Sequence, residues 1–251
     1  MTSCPVMDGF DPAKSFGADV AGRYDDHPRG DEDETVAFLA AEARGGPALE
    51  FAIGTGRIAL PLSEKGIRVD GIELSENMVT RLRQKPGGSL LDVIVGDMAT
   101  ADAPSEGEFS LVYLVYNTIF NILTQDGQVA CFENAARHLA DDGVFVVEAG
   151  TPTSWVRGDQ FVNVERLTAS EVLLDVNRYD PVTQILDENH VSLTTDGIQF
   201  GPIACRLIYP SEMDLMARIA GLRLVERWGG WCGEPFTASS ERHVSVYSKF
   251  P

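Results

Sequence analysis

Positive charge is scarce in this chain: its 251 residues hold 20 Lys and Arg against 38 Asp and Glu, a formal net charge of −18. Binding to nucleic acid or to an anionic bilayer rests on neutralising phosphates with basic side chains, so neither partner is expected. A cationic substrate such as an amine would be mildly attracted. Cysteine is sparse too. Cys4, Cys131, Cys205 and Cys232 lie far apart without CxxC or Cys/His ligand spacing, which argues against a disulfide framework and a zinc site and leaves structural thiols. No apolar run approaches the ~18 residues of a spanning helix. The start, MTSCPVMDGFDPAK, lacks the basic and apolar regions of a signal peptide, so a cytoplasmic location is expected. Internal repeats and low-complexity segments are also missing.

What is present is ordinary globular composition, 44% hydrophobic, in a length suited to one large α/β domain with a modest insertion. Residues 1–44 read as an N-terminal arm, ending in RYDDHPRGDED, and a helix over 31–44 with acids in its first turn. Short apolar runs then alternate with amphipathic stretches. Strands are expected at 48–53, 68–74, 91–97, 109–117 and 143–150, and helices at 56–66, 75–85 (with Ser75 as N-cap) and 126–140. That alternation implies parallel βαβ units with right-handed crossovers. From residue 151 to 205 the texture is β-patterned without helices, an antiparallel insertion of about four strands with turns at Asp180-Pro181 and Asp196-Gly197. A helix at 211–221 and strands at 222–230 and 243–250 complete the chain, so that 45–150 and 206–251 form one α/β domain.

The stretch LEFAIGTGRIALPL contains Gly54-Thr55-Gly56-Arg57-Ile58-Ala59, a G-x-G-x-x-A turn after a strand and before a helix, and Glu73 ends the second strand. Both features suit a dinucleotide site, where small residues let the backbone approach the ligand and the acid bonds ribose hydroxyls. Glu50, inside the first strand, does not: a carboxylate near a pyrophosphate is unfavourable, whereas near a cation it is an asset. Gly96-Asp97-Met98 ends the third strand at the same carboxyl edge of the sheet, where ligands of open α/β sheets lie.

In these residues the chain resembles the class I S-adenosylmethionine-dependent methyltransferases, whose first motif, E/D-x-G-x-G-x-G, stands here as EFAIGTG with Ala52 in place of the first glycine. The similarity covers about residues 45–150 and resumes at 211–250. It implies a Rossmann-like α/β fold, a seven-stranded mostly parallel sheet with the last strand antiparallel, and S-adenosylmethionine as cofactor, with S-adenosylhomocysteine as product. It further implies that Ala52, Gly54 and Gly56 pack against the amino-acid part of the cofactor, with Glu50 near the ammonium, and that Glu73, followed by Leu74, takes the ribose hydroxyls. Asp97 would receive the adenine amino group and Met98 would pack on the ring, with Val115 completing the pocket. Tyr24, on the arm, and Arg57 are candidates for the cofactor carboxylate. A side chain at Gly56 is expected to block the cofactor and leave the fold intact.

Methyl transfer from a sulfonium needs the nucleophile held in line and water excluded. The edge after strand four reads Leu114-Val115-Tyr116-Asn117-Thr118-Ile119-Phe120-Asn121, with Tyr116, Asn117 and Phe120 as candidate wall residues. It does not match the D/N-P-P-Y/F pattern of nucleic-acid amine methyltransferases. It also lacks the hard oxygen ligands of a magnesium-dependent enzyme, since no Asp or Glu occurs between Phe109 and Gln125. A metal-free enzyme acting on a small molecule is expected, with an amine preferred over a hydroxyl as acceptor. A hydroxyl would require a base, for which His190, His27, Glu148 and His243 are available. His138 reads as structural. The insertion, similarly placed in sugar N-methyltransferases of bacterial natural-product pathways, would be a substrate lid or a dimer contact, in a monomer or homodimer. The competing readings are an NAD(P)-dependent oxidoreductase, weakened by Glu50 and by the lack of any Y-x-x-x-K, and a non-catalytic cofactor-binding domain.

Overall fold

The computed structural model describes residues 6–8, 10, 15–26, 28–104 and 108–250. His27 and Cys4 lie outside them. Two helices, α1 (Ala18–Arg23) and α2 (Glu32–Ala43), precede the sheet strands β1 (Ala48–Phe51), β2 (Val69–Glu73), β3 (Asp92–Val95), β4 (Phe109–Leu114) and β5 (Leu139–Gly150). Between these strands run α3 (Ala59–Glu64), α4 (Glu76–Arg83) and α5 (Gln125–His138). The short α6 (Pro152–Trp155) leads into β6 (Gln160–Leu167), β7 (Glu171–Asp180), β8 (Ile185–Thr194) and β9 (Gly197–Arg206). The chain ends with α7 (Pro210–Ile219), β10 (Leu222–Trp228) and β11 (Arg242–Lys249).

One seven-stranded sheet has the order β10-β11-β5-β4-β1-β2-β3, in which β11 alone runs antiparallel to its neighbours. This is the Rossmann-like sheet expected. Its central strands are buried on both faces, as parallel sheets are, and their alternate residues feed two cores. Leu49, Phe51, Val112, Leu114, Phe145 and Val147 belong to one, with Phe132 of α5 and Met213 of α7; Leu111, Tyr113, Val144 and Val146 belong to the other, with Leu39 of α2 and Leu62 of α3. Strand order reverses between β1 and β4, so the carboxyl ends of these two strands open the crevice in which ligands of such sheets bind.

Three element boundaries differ from expectation for one reason, left-handed backbone at that crevice. The helix expected from residue 56 starts at Ala59 because Gly56 has φ 77°, and β4 stops at Leu114 because Tyr116 and Asn117 sit at φ 59° and 60°. The strand expected to reach Ile53 ends at Phe51 because Ala52 has φ 54°. A fourth difference is α1, which the arm's composition does not announce. This six-residue helix has no side-chain cap, and the arm is secured from outside. Ser75 Oγ donates to the Phe16 carbonyl at 2.6 Å, and Asp25 takes Thr55 Oγ1 at 2.7 Å and Lys85 Nζ at 2.8 Å.

The strands β6-β7-β8-β9 form a separate antiparallel meander. Leu186 and Cys205 are buried in the main core, Phe161, Tyr179 and Ile203 pack against it, and Cys205 reaches Asn121 just past the β4 edge. Arg206, 6% exposed, donates to Gln128 of α5 at 2.5 Å and to Glu212 of α7 at 2.8 Å, which pins the end of β9 to the α/β layer. Of the thiols, Cys131 and Cys205 are buried and Cys232 is exposed, so a structural role does not extend to Cys232.

A left-handed backbone costs an L-residue roughly 1–2 kcal/mol, of which glycine's larger unfolded-state entropy offsets part. Ala52→Gly should therefore raise unfolding stability by about 0.5–1 kcal/mol in urea denaturation, and a loss of stability would mean that the Ala52 methyl contributes more packing than strain.

Candidate active site

The loop after β1 is built around Glu73. Its two carboxylate oxygens accept the Gly54 and Ser75 amides, each at 2.8 Å, so the end of β2 ties the glycine turn to the start of α4, where Ser75 also caps Met78. Burial raises the Glu73 pKa and the amides hold it back. Gly54 faces little protein: a Cβ there would meet Met78 Cε at 3.5 Å, and what excludes a side chain is φ 57°. Gly56 differs. A Cβ there would lie 2.4 Å from Leu82 Cδ1, so a larger residue strikes the core before any ligand, and the expectation that such a change would spare the fold is corrected.

Beneath this turn lies Glu50, 3% exposed, with Tyr113 Oη donating to it at 2.9 Å. Dehydration pushes its pKa up to about 8, against the pull of the Tyr113 hydrogen bond and the Arg57 charge. Arg57 is itself paired with Glu32 at 3.2 Å. A second cation, Arg29, comes from the arm. Its guanidinium lies over the Tyr116 ring, Nη2 is 3.4 Å from Tyr24 Oη, and Nη1 is buried without a partner among the described residues. Burial lowers its pKa to about 10. A carboxyl in need of a cation and a guanidinium in need of an acceptor thus flank one turn. Arg29 escaped the sequence reading although RYDDHPR sets it five residues after Tyr24.

At the β4 edge Val115 is buried and Tyr116 is 45% exposed, its amide donating to Glu148 Oε2 at 2.8 Å. Glu148, also 3.5 Å from Arg242, is held above the usual carboxyl range by burial. Asn117 Oδ1 accepts the Gly150 amide at 2.5 Å, which commits the side chain to β5. Phe120 is fully buried edge-on against Trp155, so it is core and not a wall residue. Along β2 and β3, Leu74 is 52% exposed, Asp97 is exposed and accepts the Ala99 amide at 2.8 Å, and Met98 is half-buried. These positions, with Ala52, Gly54, Gly56 and Glu73, share the carboxyl edge of the large sheet.

The candidate bases fare differently. His243 is fully buried against Ser245 Oγ at 2.8 Å, and dehydration drops its pKa to about 3. His138 accepts the Ala103 amide at 2.9 Å, a structural contact. His190 lies on β8, its Nδ1 2.5 Å from Asp175 and its Nε2 3.1 Å from Glu188, so both nitrogens are engaged; the Asp175 hydrogen bond raises its pKa. No helix among the described residues is long and apolar enough to cross a membrane.

Residues 48–143 match the family model described as a methyltransferase domain. The CcbJ methyltransferase of Streptomyces caelestis shares 36% identity with this chain, over 96% of this chain and 100% of that one, with a TM-score of 0.90. Cypemycin N-terminal methyltransferase from a Streptomyces species is 26% identical over 82% of this chain and 84% of its own length. The sugar N-methyltransferase KedS8 of Streptoalloteichus, 17% identical and covering 92% of both chains at a TM-score of 0.66, shares the fold.

Glu50 also shapes the stability of the ligand-free protein. Its folded pKa of about 8 exceeds the unfolded value near 4.5, so the folded state binds the proton more tightly; the stabilisation is complete below pH 4.5 and is lost as pH rises toward 8. Glu50→Gln should remove that slope, so that the variant gains most over the parent above pH 8 in denaturation measured across pH. Parallel pH profiles would show that Glu50 is ionised in the free protein.

Proposed function

The chain belongs to the class I S-adenosylmethionine-dependent methyltransferases of natural-product type, and on that premise we propose that it methylates an amine of a small molecule without a metal. Its cofactor would supply an electrophilic sulfonium methyl, to which an amine lone pair would bond in line as the C–S bond breaks and S-adenosylhomocysteine leaves. The residues present suit the amino-acid end of that cofactor, a zwitterion: Glu50 would meet the ammonium, and the unpartnered Arg29 Nη1, with Tyr24, would meet the carboxylate. Arg57, already paired with Glu32, supports that end from behind. Glu73 keeps acceptor capacity for ribose hydroxyls while the Gly54 and Ser75 amides fix its orientation. Leu74 and Met98 offer apolar surface to the adenosyl group, Asp97 offers an acceptor, and Ala52, Gly54, Gly56 and Val115 shape the floor.

The observation that carries the amine reading is the state of the bases. Among the described residues His190 has both nitrogens bound to carboxylates, His243 is buried, and Glu148 is buried with its oxygens on the Tyr116 amide and Arg242, so none stands free to deprotonate a hydroxyl. A neutral amine needs no such base. Tyr116 then serves as a half-exposed wall and Asn117 as the tie that holds it in place. The lack of Asp and Glu between Phe109 and Gln125 supports transfer without a metal, and the charge of −18 disfavours nucleic acid as acceptor. The β6–β9 meander would close over the acceptor.

Glu73→Ala should weaken S-adenosylhomocysteine binding by about 2–4 kcal/mol in calorimetry, through lost charge-assisted hydrogen bonds, and unchanged affinity would remove Glu73 from the site. Turnover with an amine acceptor should persist in excess EDTA and fall as pH drops below the acceptor's pKa. A requirement for added divalent metal would overturn the metal-free reading.

A further inference from the structure

The meander turns toward the α/β layer a face that changes character along its strands. Next to the layer it is apolar, with Phe161, Tyr179, Leu186, Ile203 and Cys205. Farther out, the register places Asp175 opposite His190 and Asn163, and Asn177 opposite Glu188, all on the same face. His190 bridges Asp175 and Glu188, and Glu165 interacts with Asp175 and His190 from β6. The same imidazole lines a cavity of about 1200 Å³ whose far wall is the arm, including Phe16, Gly17 and Arg23.

The chemistry of this belt is lopsided. Glu165, Asp175 and Glu188 are carboxylates, and the side-chain oxygens of Asn163 and Asn177 are buried without a partner among the described residues, Asn177 being 4% exposed. Among the described residues, the basic group they share is the His190 imidazole. The nearby arginines offset this in part: Arg157 acts on Glu165, and Arg23, across the cavity, is directed to Gln199 and to the Asp19 carbonyl. Glu165 and Glu188 are held above the usual carboxyl range by burial and by the other acids, the condition a second cation would relieve. The two ring nitrogens face different carboxylates, so a metal would have to displace one of those contacts, whereas an ammonium or hydroxyl donor can be added to the existing set.

We propose that this belt, centred on Asp175, Asn177, Glu188 and His190, anchors a second, non-reacting ammonium of a hydroxyl-bearing acceptor. The proposal rests on the amine-methyltransferase reading and names the acceptor's class. The anchored nitrogen is not the one methylated. Carboxylates keep an amine protonated, and a protonated amine has no lone pair to displace a sulfonium. Position agrees: His190 is four residues beyond Leu186 along β8, about 13 Å at the rise of a strand, so an acceptor touching both the β4 edge and the belt is extended and carries at least two basic or hydroxylated parts.

The test is binding of 2-deoxystreptamine, a hydroxylated ring bearing amines, against myo-inositol, the same ring with hydroxyls only, to protein saturated with S-adenosylhomocysteine. Ligand-observed NMR titration should give the amine about tenfold or more tighter binding, a preference that Glu188→Gln and Asp175→Asn each abolish. Equal affinity for the two rings, or a preference that survives both substitutions, overturns the proposal. If Asp175→Asn does not fold, Glu188→Gln, with its partly exposed side chain, decides alone. S-Adenosylhomocysteine affinity, measured on the same samples, reports separately on the methyltransferase reading and should be unchanged in the variants.

Discussion

A carboxyl group sealed beneath the glycine turn sets the terms for the rest of the site. Glu50 has given up water, and at neutral pH it keeps its proton because burial outweighs the Tyr113 hydrogen bond and the Arg57 charge that favour ionisation. Such a group is a standing cost to the fold. Its position, below a turn opened by left-handed residues, is what the proposed recognition of a ligand bearing both charges would use. A dinucleotide phosphate would gain nothing from it, which is why one acidic residue separates two cofactor classes that share the glycine pattern.

The surroundings are organised to keep this arrangement rigid. Glu73 binds the turn to α4, Asp25 binds the arm to the turn and to α4, and Glu148 holds the Tyr116 amide at the neighbouring strand end. Backbone strain gathers where β1 and β4 diverge, at Ala52, Tyr116 and Asn117, as expected where structure serves a site rather than stability. Arg206 carries the meander on the same framework, so the face proposed to meet an acceptor is tied to the α/β layer.

Much of this was legible in the residues. Parallel strands announce themselves as continuous apolar runs, and the acids at positions 50, 73 and 97 stand out because they interrupt those runs at strand ends. What the sequence concealed was long-range or conformational. Arg29 reads as one more charge in a polar arm until folding buries it on Tyr116, and Phe120 reads as a wall residue until Trp155 covers it. Nothing local distinguishes Gly54, which needs only its backbone angle, from Gly56, which needs both such an angle and space for Leu82. His190 looked like an isolated base because its partners come from a neighbouring strand and from two residues back, pairs that only register reveals.

The central claim is that a cofactor cation draws the proton from Glu50. Calorimetric titration of S-adenosylhomocysteine at pH 7, in buffers of differing ionisation enthalpy, measures this directly. The account predicts release of about one proton per cofactor bound, because a group with a pKa of about 8 starts protonated and ends charged. Binding with the same enthalpy in every buffer, and so no proton released, would contradict it.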